Sequence, residues 1–310
     1  MDCRYSFDPQ ESEGNEDLLD KEWDCPHEAH GDLDYCLFHL PLDKRSEYGI
    51  SDTDVREAFL DKIHKDGKRK KEFIGATFND LNLEYQILES DDRYPIDLRC
   101  AKIKGELNLS NATISQPLRM DYAEVGTAKV IHAEFTGPYS AKSTRFEGET
   151  EFINTEMTDE AVFDGSVFVD KAVFKDGTFN YFVSFNGGEF NEAGEFDETS
   201  FNHDVNFKNT VFDGEVTFRG TEFNGGANVL VDDANFKKTE FNSDVDFKMA
   251  KFRYGVFDGA VFNGDANFSD NAFERGASFS DITCKGSVKF VRSVFNGNTT
   301  FENAEFSHES

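Results

Sequence analysis

Four residues near the N-terminus have the chemistry of a metal site. Cys25, Cys36 and His39 stand in the run "CPHEAHGDLDYCLFH" with the spacing Cys-x10-Cys-x2-His, and Cys3 lies upstream. Three thiolates and one imidazole make a closed tetrahedral zinc set of structural type, with no position open for substrate. The short Cys36-x-x-His39 step places two ligands on one turn. Trp23 and Tyr35 each sit just before a ligand cysteine and are expected to pack around the ion. The long gap from residue 4 to 24 leaves the fourth position open to Cys3, His27 or His30. The chain has five cysteines, at 3, 25, 36, 100 and 284. An odd number with three crowded at the start suits a metal site better than a disulfide framework.

The remaining chemistry-bearing residues form no catalytic set. No nucleophile and base stand together, and no phosphate-binding loop is present. His132, His203 and His308 are isolated, and paired carboxylates such as Glu149 and Glu151 fit a solvated face. The expectation is a protein that is not an enzyme. A formal charge of −29 and a pI near 4.5 argue against direct nucleic-acid binding by the chain as a whole. Residues 1–95 carry 25 acids against 12 bases and residues 96–310 carry 36 against 20, so both parts are acidic. Adaptation to a salty cytoplasm, where a Debye length of about 3 Å screens self-repulsion, accounts for such a surface. No apolar run approaches the ~20 residues of a membrane span, and no signal peptide is evident, so the chain reads as soluble and cytoplasmic.

What must position the metal set is an unusual scaffold, with 34 Phe against one Trp and four Met. Written in elevens, the chain repeats: "VFDGSVFVDKA", "VFKDGTFNYFV", "SFNGGEFNEAG", "EFDETSFNHDV", "NFKNTVFDGEV". Phenylalanines recur at alternating steps of five and six, as at 185, 190, 196, 201, 207, 212, 218 and 223, and then from Phe236 to Phe306 with Cys284 in one slot. Smaller residues extend the series back from Met157 to Leu98. A small or β-branched residue precedes most anchors by two, as Ala172, Val183 and Thr210 do. Such steps scatter anchors around a helix, and an odd step flips them across a continuous strand. They agree only if the chain turns a corner once per unit, so that each unit is a very short strand with its anchor inward. Gly, Asn and Asp after the anchor supply the corners. The result is a solenoid, a square coil with four short faces, two elevens to a coil and nine to ten coils in all. The spacing Gly-Gly-x-Gly-x-Asp of calcium-binding solenoids is absent.

The small-x-Phe/Leu pattern at a five-residue step resembles the pentapeptide-repeat proteins, in a Phe-rich form where sixes alternate with fives. The resemblance covers about two-thirds of the chain and implies an all-β solenoid, a right-handed quadrilateral β-helix. The alternating six implies that one corner type is wider. The Trp-x-Cys and Tyr-Cys-x-x-His pieces resemble the plant WRC motif, a small CCCH zinc knuckle associated with nucleic-acid or protein recognition.

Three segments follow: a zinc-binding module over 1–50, a helix and basic linker over 51–72, and the β-helix over 73–310, regular from about 96. Ser51 or Asp52 can cap a helix over about 53–65 whose Val55, Phe59 and Ile63 cover the open first coil. "KRKK" at 68–71 reads as a solvated loop. "FIGATFNDLNL" already steps in fives at Phe73, Phe78 and Leu83. In "FNGGANVLVDDANF" two extra residues before Val231 imply a surface bulge, and the strict fives from Phe247 to Phe262 imply a local twist. No capping helix follows Phe306, so two rods are expected to meet end to end there, or another element to cover the end.

The function expected is a non-enzymatic scaffold presenting flat acidic faces to a protein partner. Two alternatives are carried. Some pentapeptide-repeat proteins imitate duplex DNA and block type II topoisomerases, often as end-to-end dimers. Nucleic-acid binding through the zinc module is the other. A ladder of acids along one side favours mimicry, and uniform coverage favours salt adaptation.

Overall fold

The structure is a computed structural model that describes residues 1–8, 22–65, 67–226 and 233–307. From Glu72 onward the chain winds as a four-sided parallel coil. One turn of it runs through the two-residue strands Arg145–Phe146, Thr150–Glu151, Glu156–Met157 and Ala161–Val162. Each pairs in parallel with its counterpart in the next turn: Phe146 with Phe168, Thr150 with Ala172, Met157 with Phe179, Ala161 with Val183. These four strands define the first to fourth faces. The third and fourth faces are each ten strands deep. At ~4.8 Å per coil the rod is about 48 Å long. In the early turns the chain does not break at the corner between the first two faces, and Lys102–Asn108 and Glu124–Lys129 each run through it as one strand.

The alternation of five and six follows from two kinds of corner. After Phe163 the chain turns tightly: Ser166 N–H donates to the Phe163 carbonyl at 3.1 Å, and Gly165 takes φ +66°. This is the type II arrangement, which places a left-handed residue third. Later turns repeat it, with Asp176, Glu198, Asn209, Lys238 and Met249 in the left-handed position as well as Gly187 and Gly220. A tight corner separates anchors by five. The other corner is wider and normally takes six. Between Phe252 and Phe257 it takes five, at Gly255, where an added Cβ would press on both rings at 3.1 and 3.2 Å. That coil closes in 21 residues (Glu240 to Val261), whereas the next takes 22 (Val261 to Thr283). The expected bulge before Val231 lies in 227–232, outside the described residues.

Every anchor from Leu98 to Cys284 in the described residues is buried. The rings stack in columns along the axis. Phe174, Phe196, Phe218, Phe247 and Phe268 follow at centroid spacings of 5.1, 4.8, 4.8 and 4.8 Å, tilted by 10° or less. Opposite columns meet edge to face, as Phe174 and Phe185 do at 5.2 Å and 85°. Both geometries suit the ring quadrupole, at roughly 0.5–1.5 kcal/mol per pair beyond area burial. Buried hydroxyls satisfy the corners: Thr199, Thr210 and Thr221 donate at 2.5, 2.8 and 2.7 Å to the carbonyls of Phe174, Phe185 and Phe196, one coil back.

The two ends differ. Helix α1 (Leu42–Glu47) and helix α2 (Asp52–Ile63) belong to the N-terminal module. Ser51 caps α2 in a reciprocal box with Asp54, and Val55, Phe59 and Ile63 are buried. The Phe59 ring lies 4.5 Å from Phe73 and 5.8 Å from Phe78, so α2 covers the first coil as its apolar stripe implies. At the far end Phe301 is 40% exposed and Phe306 56%.

"KRKK" is solvated only in part: Lys68, Arg69 and Lys70 are exposed, and Lys71 is not. Lys68–Lys71 forms a 3₁₀ turn, and Lys71 is wholly buried, its ammonium 2.7 Å from Asp92 and 3.0 Å from the Lys65 carbonyl. Burial alone would raise the Asp92 pKa, but hydrogen bonds from Lys71 and the Gly67 N–H hold it well below the usual carboxylate range. A buried ammonium needs such a partner.

Phe218→Asp places an unpaired charge between two stacked rings and should cost more than about 4 kcal/mol, whereas Phe306→Asp should stay within about 1 kcal/mol. Denaturant unfolding of the two variants checks this; similar losses would contradict the register.

Candidate metal centre

Two local structures bring the four candidate ligands together. Ser6–Phe7 pairs antiparallel with Trp23–Asp24, Phe7 opposite Trp23. The ladder continues outward, with Cys25 N–H donating to the Tyr5 carbonyl and Cys3 N–H to the His27 carbonyl, both at 3.0 Å. Cys3 therefore lies beside Cys25 despite the long sequence gap. The second structure is the turn after Cys36, where His39 N–H and Leu40 N–H donate to the Cys36 carbonyl at 3.2 and 2.9 Å.

Cys3, Cys25, Cys36 and His39 are all buried, and their ligand atoms lie within 4.8 Å of one another. Cys25 Sγ is 3.7 Å from Cys36 Sγ, and His39 Nδ1 is 3.2 Å from Cys36 Sγ and 4.0 Å from Cys3 Sγ. With metal–sulfur bonds of ~2.3 Å, the edge of a zinc tetrahedron is about 3.8 Å. His39 Nε2 donates to the Ile74 carbonyl at 2.9 Å. A carbonyl only accepts, so the proton resides on Nε2 and the Nδ1 lone pair faces the sulfurs. Cys36 N–H donates to Cys3 Sγ at 3.2 Å.

Without an ion the sulfurs share protons unequally. Hydrogen bonds from Cys25 and Cys36 push the Cys3 thiol far down, and the bond to Cys3 pushes Cys25 far up. A cation entering this set displaces the remaining thiol protons, so its hold weakens as pH falls.

The surroundings correct part of the sequence reading. His30 is exposed and outside the cluster. His27 is buried, but its Nε2 donates to the Glu72 carbonyl at 2.9 Å, and burial lowers its pKa to about 4. Cys3 therefore completes the set. Tyr35 is 36% exposed and does not cover the site. Tyr5 does, stacked on the His39 ring at 3.9 Å and 8°. Its hydroxyl reaches over Gly75, where an added Cβ would come within 2.0 Å of it. Sequence reasoning missed Tyr5; its signal was alternation in "CRYSF", with Cys3 and Tyr5 on one side of the strand.

The module grips the rod through residues beside the ligands. Thr77 N–H donates to the Phe38 carbonyl at 2.9 Å. The buried Arg45 guanidinium donates to the Thr77 and Phe38 carbonyls at 2.5 and 3.2 Å. Trp23 Nε1 donates to Glu72 at 2.9 Å. The ligand turn, from Cys36 to His39, is thus fastened to the first coil at Ile74 and Thr77.

Residues 231–270 match the family model described as pentapeptide repeats (9 copies). The coils in this segment are pentapeptide repeats. The match falls in the part of the Phe ladder that holds the strict fives, and the same ring columns and parallel pairing run through coils before and after it. The Cys/His cluster at its head fits a zinc-knuckle-like module. No curated protein matches the chain.

Proposed function

We propose that this pentapeptide-repeat protein is a non-enzymatic interaction scaffold whose acidic edge engages a basic protein partner and whose N-terminal cap is held by structural zinc. One observation carries the reading of the edge. The wide corner between the first and second faces presents Glu147, Glu149, Asp170, Glu192, Asp213, Glu215, Asp244 and Asp265, all exposed, over six successive coils. Lys171 is the one base at this corner in those coils, and it is held by Glu195 at 2.7 Å; of the eight acids, Glu147 and Asp265 are paired from flanking strands, with Arg145 at 2.6 Å and Lys289 at 3.9 Å. Other corners carry mixed charge: the tight corner after the second face sets Lys175, Arg219 and Lys248 among Asp176, Asp197, Glu198 and Asp270. A coat serving only to hold water in high salt has no need of this order, which supports a partner surface over salt adaptation.

The same edge favours one second reading, imitation of DNA toward a type II topoisomerase. Eight carboxylates over five steps of ~4.8 Å give one charge per ~3 Å, close to the 3.4 Å of a single nucleic-acid strand. End-to-end pairing through the exposed Phe301 and Phe306 would double the length of the edge. Nucleic-acid binding by the rod itself is opposed by this charge. Among the described residues no helix is long and apolar enough to cross a membrane. A thiolate metal site needs a reducing compartment, which supports the cytoplasm.

Zinc is tested on untagged protein, which should carry about one zinc per chain, lost in a Cys25→Ala, Cys36→Ala variant; metal-free protein that keeps the docked module would contradict it. The edge is tested by titrating with oligolysine at about 0.1 M KCl. Neutralising Glu192, Asp213, Glu215 and Asp244 to their amides should weaken binding about tenfold. Neutralising Asp164, Asp176, Asp258 and Asp281 should do far less. Equal losses would remove the edge as a surface. Inhibition of topoisomerase supercoiling, lost in the first variant alone, decides for the second reading.

A further inference from the structure

Among the described residues of this acidic chain, cations gather around a pocket. It has a volume of about 420 Å³ and lies where the module meets the fourth face of the rod, with Lys68, Arg69, Arg99 and Arg119 around it against three acids, the exposed Glu22 and the buried Glu72 and Asp97. The cations come from three separate parts of the chain, the 3₁₀ turn Lys68–Lys71, the corner after the strand Ile96–Asp97 and the strand Leu118–Arg119. The fold brings them together by stacking Glu72, Asp97 and Arg119 in one column: Glu72 bridges Asp97, and Asp97 pairs directly with Arg119.

Two of the cations are fixed from below. The largely buried Glu72 carboxylate accepts from Arg69 Nη1 at 3.1 Å and from Trp23 Nε1 at 2.9 Å, and Arg69 also donates to the Asp24 carbonyl at 2.9 Å. Asp97, also buried, holds Arg99 by two bonds, to Nε at 2.8 Å and Nη2 at 2.7 Å. The buried acids are thereby occupied in holding the floor. Among the described residues Lys68 and Arg119 have no carboxylate partner within ion-pair distance. They stand at the rim with their charge unmatched, one a compact ammonium and the other a planar fork.

We propose that this pocket binds the phosphate group of a small phosphomonoester, with Arg119 gripping it through two parallel N–H bonds and Lys68 supplying the second charge. A planar guanidinium matches two phosphate oxygens, and an ammonium adds a point charge without demanding direction. A rigid floor of paired groups spares the ligand the cost of ordering them. The volume is that of a small-molecule site and leaves room for an organic part beside Pro95 and Ile74. The proposal does not depend on the acidic edge, which lies on another side of the rod.

The test is calorimetric titration of the full chain with inorganic phosphate and with glycerol 3-phosphate, at constant ionic strength set with chloride. A single saturable site is expected. Arg119→Gln should weaken it about tenfold, Arg119→Gln with Lys68→Gln more, and Lys285→Gln at the other end of the rod not at all. Tighter binding of the ester than of inorganic phosphate would assign the organic part to the pocket; equal binding would make free phosphate the ligand. Both rim residues are exposed, so the variants should melt as the wild type does. Absence of saturable binding, or affinity unchanged in the double variant, overturns the proposal.

Discussion

Everything in this molecule depends on the match between two lengths. Parallel strands repeat at ~4.8 Å, and aromatic rings offset-stack at nearly the same distance. A phenylalanine directed inward from each face therefore meets its counterpart one coil on without straining either the ladder or the rings. The centroid spacings of 4.8 to 5.1 Å along the Phe174–Phe268 column follow from that match. Steps of five and six are what remains once each coil must return four anchors to the axis through two tight and two wide corners.

A core built by translation has no natural end. At the N-terminal side the first rings, Phe73 and Phe78, are closed by α2 and by a module fastened through Ile74, Thr77 and Glu72. So small a module cannot bury much apolar surface, and a metal held at Cys3, Cys25, Cys36 and His39 would supply the stability its core lacks. The same translation orders the surface. Each outward position recurs once per coil, so a preference for acid at one corner becomes a line of charge. The acidic edge and the cationic pocket both come from this stacking, one from repetition and the other from the place where repetition begins.

The rod was legible because its anchors are few in kind and strict in spacing, so that even Met120, Val125 and Ala141 could be placed in the core. The ligand set was legible in part. Cys36 and His39 lie on one turn, but choosing Cys3 over His27 requires the pairing of Phe7 with Trp23, a long-range contact that spacing does not encode. Tyr5 was missed for the same reason, and Tyr35 was misplaced because proximity along the chain does not fix the direction of a side chain. Lys71 was read as solvated because its partner Asp92 lies 21 residues away. The acidic edge was invisible in composition, since it depends on which corner each carboxylate occupies.

The central claim is that metal binding at the Cys/His cluster seals the open end of the phenylalanine core. Amide hydrogen exchange along the whole chain, with and without a strong chelator, tests it most directly. The account predicts that metal removal lowers protection in the module and in the first coils, including the Thr77 amide, and leaves the coils beyond about residue 150 unchanged. Protection at Thr77 and in the first coils that is the same in metal-loaded and chelated protein would contradict it.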